Sequence, residues 1–270
     1  MTIDVNFFEN LSDDLKRTVS DASKAIMDVY ERNTFDTEIK SDGSPVTEAD
    51  ENANKIIIQS LSLVTPDISI VSEETFDKSA EIPDDPYWLV DPLDGTKEFI
   101  NKSKDFTVNI ALIEEGKPLY GIICAPITGQ IWSGSCFQKS LPNENIDSTL
   151  RIVMSKSHQT KTDKEFLEFI ESLDISYQII EKGSSLKLCA LFDNSADIYP
   201  RFGPTSEWDI AAGHAILSSR GGSVFQLSNC KELAYSKQDT ILNPAFAAFR
   251  NKSLKDIYLP ILSEFYKKLV

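Results

Sequence analysis

Two aspartates three positions apart carry the strongest chemical signal of the chain. Asp91 and Asp94 come directly after an apolar run, residues 87–90. Pro92 and Gly95 beside them favour a turn, which would let both carboxylates point the same way. An Asp in such a turn is often only a solvated turn former, so the pair alone leaves both interpretations open.

A second apolar run, residues 68–71, also leads into acids, Glu73 and Glu74. Ligands gather at strand ends in layered folds, so these acids favour a shared site with Asp91 and Asp94. Oxygen ligands without clustered Cys or His suit Mg2+ better than zinc. Carboxylates about 5 Å apart would repel by roughly 3 kcal/mol per pair at an effective dielectric near 20, and a bound metal would compensate this charge.

Composition excludes several classes of protein. The chain has 27 Lys and Arg against 42 Asp and Glu, a formal charge of −15, so we expect no nucleic acid polymer as a partner. No secretory signal opens the sequence and no run approaches the roughly 20 apolar residues of a membrane span, which predicts a cytoplasmic protein. The four scattered cysteines favour reduced, mostly buried thiols over a zinc site or a disulfide.

Hydrophobic spacing predicts the elements that position these acids. Apolar side chains recur at helical steps over residues 11–30, and a second helix begins near Thr47, whose spacing to Asp50 is that of a capping box. Short buried strands in an antiparallel meander are predicted at residues 68–71, 87–90, 106–113, 119–124 and 130–133.

The second half of the chain alternates strands and helices. Strands are predicted at residues 151–154, 177–180, 197–201 and 224–227, and helices at residues 162–173, 184–192 and 207–219. The polar stretch 139–149 divides an N-terminal α+β half, residues 1–140, from a C-terminal α/β half, residues 150–270. The order of elements predicts alternating helix and sheet layers, an α+β fold.

Four motifs in order resemble those of the lithium-sensitive phosphatase superfamily, which includes the inositol monophosphatases and sugar phosphatases. They are Asp50 after residues 44–47, the pair Glu73-Glu74, residues 91–96, and Trp208-Asp209. Within it the chain is most similar to CysQ-type 3'(2'),5'-bisphosphate nucleotidases, from about residue 15 to residue 249. The resemblance implies a layered α-β-α-β-α sandwich.

The same resemblance implies a role for each matching residue. Two or three Mg2+ ions would be held by Glu73, Asp91, Asp94, Asp209 and the backbone carbonyl of Leu93. Asp50, Thr96 and Glu73 would be the catalytic residues, with Asp50 and Thr96 around the attacking water. Metals can stabilise both the entering and the leaving oxygens of an in-line displacement, which agrees with these roles.

Most residues predicted to bind the substrate lie in segments of the second half of the chain. A Gly-Ser-Ser opening before Lys187 is how backbone amides and a cation hold an anion, although such a loop is more often only a helix start. The planar guanidinium of Arg201 can bind phosphate or stack on a base. By the resemblance, the nucleotide would contact Gly95, Thr96, His158, Ser184, Lys187, Arg201 and Asp209.

The two histidines have different interpretations. By the resemblance His158 would lie beside the adenine or ribose, with an exposed loop residue as the alternative. His214, inside a predicted helix, is expected to be packed rather than catalytic.

No Ser, His and Asp set and no phosphatase cysteine loop is evident, so direct attack by water is the simpler chemistry. The resemblance implies that 3'-phosphoadenosine 5'-phosphate and water give AMP and phosphate. The rivals are an inositol monophosphatase, a phosphatase of dual specificity, a nucleotide sensor without turnover and a metal-binding structural protein. A pure sensor would need no water-positioning groups such as Asp50 and Thr96.

Residues 251–270 lie beyond the resemblance and have apolar side chains at helical spacing, interrupted by Pro260. We expect this segment to dock on the protein's own surface. A dimer contact ranks second, and a weak peripheral association with the cytoplasmic face of the inner membrane ranks last because basic residues are few. The expected form is a monomer or a homodimer.

Overall fold

The computed structural model describes residues 3–32, 34–39, 45–77, 81–83, 86–138, 146–155 and 160–270. The helices within these residues are α1 Val5–Tyr30, α2 Glu48–Val64, α3 Thr96–Ile100, α4 Lys161–Ser172, α5 Leu186–Phe192, α6 Glu207–Ser218 and α7 Lys252–Lys267. The strands are β1 Thr37–Ile39, β2 Pro45–Thr47, β3 Ser69–Ser72, β4 Tyr87–Asp94, β5 Thr107–Glu114, β6 Lys117–Ala125, β7 Gln130–Ser135, β8 Leu150–Ser155, β9 Tyr177–Lys182, β10 Ile198–Arg201, β11 Ser223–Gln226 and β12 Phe246–Phe249.

The first large sheet has the order β3-β4-β5-β6-β7. Strands β4 to β7 form the predicted antiparallel meander, whereas β3 pairs with β4 in parallel. Trp88 and Val90 of β4 pack with the apolar side chains of α1 and α2. Tyr87 and Leu89 pack on the opposite face with those of α5 and α6. Because both faces are covered, residues 87–90 of β4 form an unbroken apolar run rather than an alternating one.

The second sheet has the order β11-β12-β10-β8-β9 and is mixed. Strand β8 is parallel to β9 and β10, while β12 is antiparallel to β10 and β11. One face packs on the shared core with α5 and α6, through Tyr199 and Phe246. The other face packs on α4 and α7, through Phe166 and Phe265. The layers therefore run α1/α2, sheet, α5/α6, sheet, α4/α7, which confirms the expected α-β-α-β-α sandwich.

Helix α6 lies unusually close to its neighbours, and glycines permit this. A Cβ on Gly121 of β6 would lie 2.1 Å from the carbonyl oxygen of Ala212, and a Cβ on Gly213 would lie 2.4 Å from a Leu188 methyl carbon. Real atoms do not approach so closely, so a larger residue at either position would force α6 outward. These contacts set the depth of the helix that carries Asp209.

Among the described residues, four short strands and α-helices escaped the sequence prediction. They are β1, β2, α3 and β12, of three to five residues each. Strand β12 reads Phe-Ala-Ala-Phe and contains no β-branched residue. It is buried along its whole length, so it shows no period-2 alternation either.

The division of the chain near residues 139–149 stays a prediction. Described residues on both sides of it contribute to one shared core.

The C-terminal segment forms one helix, α7, which passes through Pro260 without a break. The interruption expected at this proline was wrong, because Leu259, Leu262 and Phe265 bury themselves against the second sheet and hold the helix together. Docking on the protein's own surface is thus what the structure shows. Every helix among the described residues is too short or too polar to cross a bilayer.

The prediction of mostly buried thiols was right for two of the four cysteines. All four cysteines are free thiols. Cys124 and Cys189 are buried, but Cys136 and Cys230 are exposed. Both exposed residues lie in loops that follow or precede short strands, where hydrophobic spacing does not indicate burial.

A buried ion network holds the second sheet together at the start of β10. Asp197 accepts hydrogen bonds from Arg151 Nε at 3.0 Å and Nη2 at 2.8 Å, and from Arg250 Nη2 at 2.9 Å. Burial raises the pKa of Asp197, but the hydrogen bonds from the two arginines outweigh burial and leave the pKa below its ordinary value. The carboxylate therefore stabilises the fold only while it is ionised.

We expect Asp197→Asn to lower the free energy of unfolding by about 3 kcal/mol at pH 7, because two guanidinium groups lose their buried counter-charge. The wild-type advantage is present above the unfolded-state pKa of about 4 and is lost as the pH falls through the lower, folded-state value. Urea unfolding of both proteins at a series of pH values measures the difference. A deficit of constant size between about pH 7 and pH 3 would contradict the assignment.

Candidate metal and phosphate site

A bulge at the end of β4 brings Asp91 and Asp94 to the same side of the strand. In the pairing with β5, Asp91 lies opposite Asn109 and Asp94 lies opposite Thr107, so three steps on β4 match two on β5. Side chains alternate along a regular strand, and residues three apart would point to opposite faces. The extra residue of the bulge cancels this alternation, and Pro92, which has no N–H, is tolerated there.

Asp209 joins these two acids from the first turn of α6. Asp91, Asp94 and Asp209 each offer a carboxylate oxygen within 4.8 Å of the others, in the one such group of metal-ligating side chains found among the described residues. We call these three residues the acid cluster. Asp209 Oδ2 also accepts a hydrogen bond from the Ser206 backbone N–H at 2.9 Å, so the carboxylate caps α6 while it faces the other two.

The electrostatics of the acid cluster show how crowded it is. Burial raises the pKa of Asp91 well above its ordinary value, and the charges of Glu73, Asp94 and Asp209 raise it further. Burial, Asp94 and Glu73 likewise raise the pKa of Asp209. Acids crowded in this way need a positive charge to stay ionised together.

Glu73 lies beside the acid cluster but outside it. It opens a 3-10 turn, Glu73–Thr75, directly after β3. The Ser72 hydroxyl donates a hydrogen bond to Asn54 Oδ1 at 2.7 Å and so ties the start of this turn to α2. The charge of Glu73 acts on both Asp91 and Asp209, which places it within electrostatic reach of them.

Asp50 and Thr96 form a hydrogen-bonded pair beside the Leu93 carbonyl. Thr96 Oγ1 lies 3.1 Å from Asp50 Oδ1 and 3.3 Å from the carbonyl oxygen of Leu93. The other oxygen, Asp50 Oδ2, accepts from the Thr47 backbone N–H at 2.8 Å and from its hydroxyl at 2.6 Å, the predicted capping box. Burial raises the pKa of Asp50 against these hydrogen bonds.

A pocket opens from the acid cluster toward two cations of the second half. It is lined by Asp94 and Asp209 of the acid cluster and by Lys187 and Arg201. Lys187 is buried, and its Nζ lies 5.5 Å from the centroid of the Tyr199 ring. Burial lowers the pKa of Lys187, while the charge of Asp94 opposes that shift. The pocket thus offers positive charge within an acidic protein, as binding of an anion requires.

The Arg201 side chain is held in a fixed direction at the edge of this pocket. Its Nε donates to the carbonyl oxygen of Gly203 at 3.2 Å and its Nη2 to that of Pro204 at 3.1 Å. Ser155, Tyr199 and Thr205 also line the pocket, and the sequence prediction omitted them.

The glycine and serine residues predicted for the substrate also line this pocket. Gly95 has φ of +96°, and a Cβ there would meet the Asp105 carbonyl oxygen at 3.1 Å, so glycine is required. Ser184 has φ of +42°, and helix α5 begins only at Leu186, two residues later than predicted. His158 lies outside the described residues. His214 is buried as expected, with Nδ1 3.0 Å from the Tyr235 hydroxyl.

Sequence reasoning missed two buried polar residues that contact the acid cluster, Asn109 on β5 and Ser185 before α5. The Ser185 hydroxyl lies 3.0 Å from Asp94 Oδ2, and Asn109 Nδ2 donates to Ser185 Oγ at 2.8 Å. A polar side chain in the middle of the apolar run of β5 was the signal that could have revealed Asn109.

Comparison with known proteins finds one family over nearly the whole chain. The profile described as "Inositol monophosphatase family" matches residues 10–264. The match extends past residue 249, so the expectation that the last twenty residues lie outside the resemblance was wrong for most of them.

Individual relatives agree with the family match. The chain is 43% identical over 238 residues to a protein of Salmonella typhimurium named 3'(2'),5'-bisphosphate nucleotidase CysQ, covering 83% of this chain and 94% of that protein. A crystal structure titled CysQ from Bacteroides thetaiotaomicron is 31% identical, with a TM-score of 0.77 over 89% of this chain and 98% of that one. The Thermotoga maritima IMPase has the same fold, with a TM-score of 0.76 at 20% identity, over 97% of this chain and 100% of that one.

If the acid cluster holds a cation, Asp91→Asn should stabilise the protein in a chelator and abolish its response to magnesium. The substitution relieves the repulsion among the three crowded carboxylates and keeps an oxygen for the hydrogen bond from the Leu93 N–H, 3.1 Å long. We expect a gain of about 1–3 kcal/mol in EDTA. Thermal unfolding with EDTA and with Mg2+ measures both effects.

Asp197→Asn is the matched control, because it neutralises a buried acid that is already paired with arginines. It should lose stability in EDTA and keep the magnesium response. If the Asp91→Asn protein is less stable than wild type in EDTA, repulsion within the acid cluster does not destabilise the protein, and the prediction is wrong.

Proposed function

The chain belongs to the inositol monophosphatase family, and from this premise we propose that it hydrolyses the 3'-phosphate of 3'-phosphoadenosine 5'-phosphate to AMP and phosphate with Mg2+. The observation that carries the proposal is the pocket that joins the acid cluster to Lys187 and Arg201. The acids suit a cation that binds the phosphate under attack, and the two cations suit a second anionic group. The nucleotidase name of the Salmonella typhimurium relative supports the same substrate.

The donor set fits magnesium. The acid cluster supplies carboxylate oxygens, Glu73 lies within electrostatic reach, and the Leu93 carbonyl lies beside Thr96. Oxygen donors of this kind suit Mg2+, and the raised pKa values of Asp91 and Asp209 indicate a site that needs added positive charge. When bound, magnesium supplies that charge, makes a water easier to deprotonate and stabilises the phosphoryl oxygens. Two or three ions are part of the proposal.

Asp50 and Thr96 position the attacking water. Two hydrogen bonds from Thr47 occupy Asp50 Oδ2, which leaves Oδ1 to accept from Thr96. With its hydrogen directed at Asp50, the Thr96 oxygen can accept a hydrogen bond from water, and a proton can pass through the hydroxyl toward the carboxylate. The raised pKa of Asp50 makes this carboxylate a better acceptor of the proton.

Lys187, Arg201 and Ser184 bind the remaining phosphate and orient the nucleotide. The Arg201 guanidinium is already held by two carbonyl oxygens, so little side-chain entropy is lost when it binds. Its planar face and fork can engage a base or a phosphate. His158 beside the adenine or ribose remains part of this proposal on the resemblance alone.

We further infer that the protein acts in the cytoplasm as a monomer or a homodimer. A formal charge of −15 opposes binding to anionic lipid headgroups, so a weak membrane association ranks last among its interactions.

We expect kcat/KM for 3'-phosphoadenosine 5'-phosphate to exceed that for inositol 1-phosphate by at least about 100-fold, because only the nucleotide offers a second anion to the two cations. Phosphate release is measured with Mg2+, with chelator and with added lithium. Faster phosphate release from inositol 1-phosphate would overturn the proposed substrate. Nucleotide binding without any phosphate release would favour a sensor.

A variant of one of the two cations that line the pocket tests this difference directly. Lys187→Met should raise KM for the bisphosphate by about 10-fold or more and change KM for inositol 1-phosphate much less. Lys161→Met is the control, because the Lys161 side chain is 91% exposed on α4 and is not among the residues that line the pocket.

Thr96→Val should lower kcat by about 100- to 1,000-fold with KM and magnesium affinity nearly unchanged, because it removes the water-positioning hydroxyl and keeps the side-chain shape. Thr96→Ser retains the hydroxyl and should recover most of the activity. Steady-state kinetics at saturating Mg2+ separates the two constants. An unchanged kcat in Thr96→Val would exclude the proposed role.

A further inference from the structure

A buried polar pair lies between the acid cluster and the pocket, outside every role that the resemblance implies. Asn109 is 1% exposed on β5, and Ser185 is 3% exposed at the N-terminal end of α5. The two side chains come from different halves of the chain and meet through the hydrogen bond of 2.8 Å between Asn109 Nδ2 and Ser185 Oγ.

The Ser185 hydroxyl joins two members of the acid cluster. Its Oγ lies 3.0 Å from the Asp94 carboxylate oxygen Oδ2 and 2.7 Å from the backbone carbonyl oxygen of Asp209. A hydroxyl has one hydrogen and two lone pairs, so it accepts from Asn109 and donates to one of these two oxygens at a time. Through this one atom, the end of β4, the start of α5 and the first turn of α6 are kept at a fixed separation.

The Asn109 amide is oriented with its nitrogen, rather than its oxygen, toward Asp94 and Ser185. Its Nδ2 donates to Ser185 and lies 3.5 Å from Asp94 Oδ2, while its buried Oδ1 has no donor among the described residues. A rotated amide would bring its oxygen against the Asp94 carboxylate, which accepts hydrogen bonds and, when ionised, cannot donate one. A buried polar atom without a partner is rare. The Asn109 side chain leaves its oxygen without a donor and directs its N–H groups toward Asp94 and Ser185, which indicates that these hydrogen bonds matter more.

We propose that Ser185 and Asn109 are positioning residues that hold Asp94 at Oδ2 and keep it aligned with Asp209 for binding a divalent cation. Because Oδ2 already faces two hydrogen-bond donors, Asp94 offers its other oxygen, Oδ1, to the cation. A cation that needs near-ideal octahedral geometry, such as Mg2+, gains most from a carboxylate whose rotation is fixed in advance.

This inference rests on the proposed function only in requiring that the acid cluster binds a divalent cation. Mn2+ serves as the probe, because its binding to substrate-free protein can be followed by electron paramagnetic resonance without any turnover. We expect Ser185→Ala and Asn109→Leu each to weaken Mn2+ binding by about 10- to 100-fold. The magnesium concentration for half-maximal turnover should rise in parallel, with KM for the nucleotide unchanged at saturating Mg2+.

Because the two residues act through one hydrogen bond, the double variant should bind Mn2+ only slightly more weakly than either single variant. Ser263→Ala is the matched control. It removes a serine hydroxyl that is 3% exposed and donates to the Leu227 carbonyl at 2.8 Å, a contact made away from the acid cluster. Its Mn2+ affinity should equal that of wild type, and its unfolding temperature in EDTA gauges the cost of losing one buried hydrogen bond.

The outcomes separate the two proposals. Wild-type protein that binds no Mn2+ would overturn the metal site of the proposed function. Wild-type binding with equal affinity in both variants would overturn the positioning role alone. If Ser185→Ala shows no cooperative unfolding, Ser185→Cys replaces it, because the thiol keeps the side-chain size with a weaker hydrogen bond, and unchanged affinity there would count equally against the proposal.

Discussion

Repulsion among three crowded carboxylates is the constraint that the surrounding structure must resist. Asp91, Asp94 and Asp209 lie within 4.8 Å of one another, where each ionised pair would repel by about 3 kcal/mol at an effective dielectric of 20. The fold holds them together by rigid means: a bulge in a strand that is covered on both faces, and a helix pressed against Gly121. A bound cation would offset this repulsion, so stability without the cation and function oppose each other at this site.

Helix starts allow two of the acids to serve structure and chemistry together. Asp50 and Asp209 are both third residues of their helices, and each accepts a hydrogen bond from the backbone N–H of its cap residue. The partial positive charge of a helix N-terminus also favours a carboxylate there. In each case one oxygen satisfies the helix end while the second remains for the site, so the capping role and the functional role do not compete.

Charge is divided between the two halves of the chain. Most acids of the site come from the first sheet and its flanking turns, while Lys187 and Arg201 come from α5 and β10 of the second half. The shared middle layer of α5 and α6 brings these acids and cations together. Asp209 lies in α6, and Ser185 directly precedes α5. A protein with a formal charge of −15 thereby presents local positive charge where a phosphorylated ligand would enter.

Apolar periodicity and capping residues determined most elements from the sequence alone, because they are local signals. The α-β-α-β-α layering and the full acid cluster were implied by the resemblance that four ordered motifs carry. Strand β12, the uninterrupted α7 and the exposure of Cys136 and Cys230 escaped the sequence prediction, since each depends on what packs against the segment. The pair of Asn109 and Ser185 was decided by tertiary structure, as its hydrogen bond joins residues 76 positions apart. Spacing along a chain cannot encode such a contact, because it exists only after two sheets have packed on a common layer of helices.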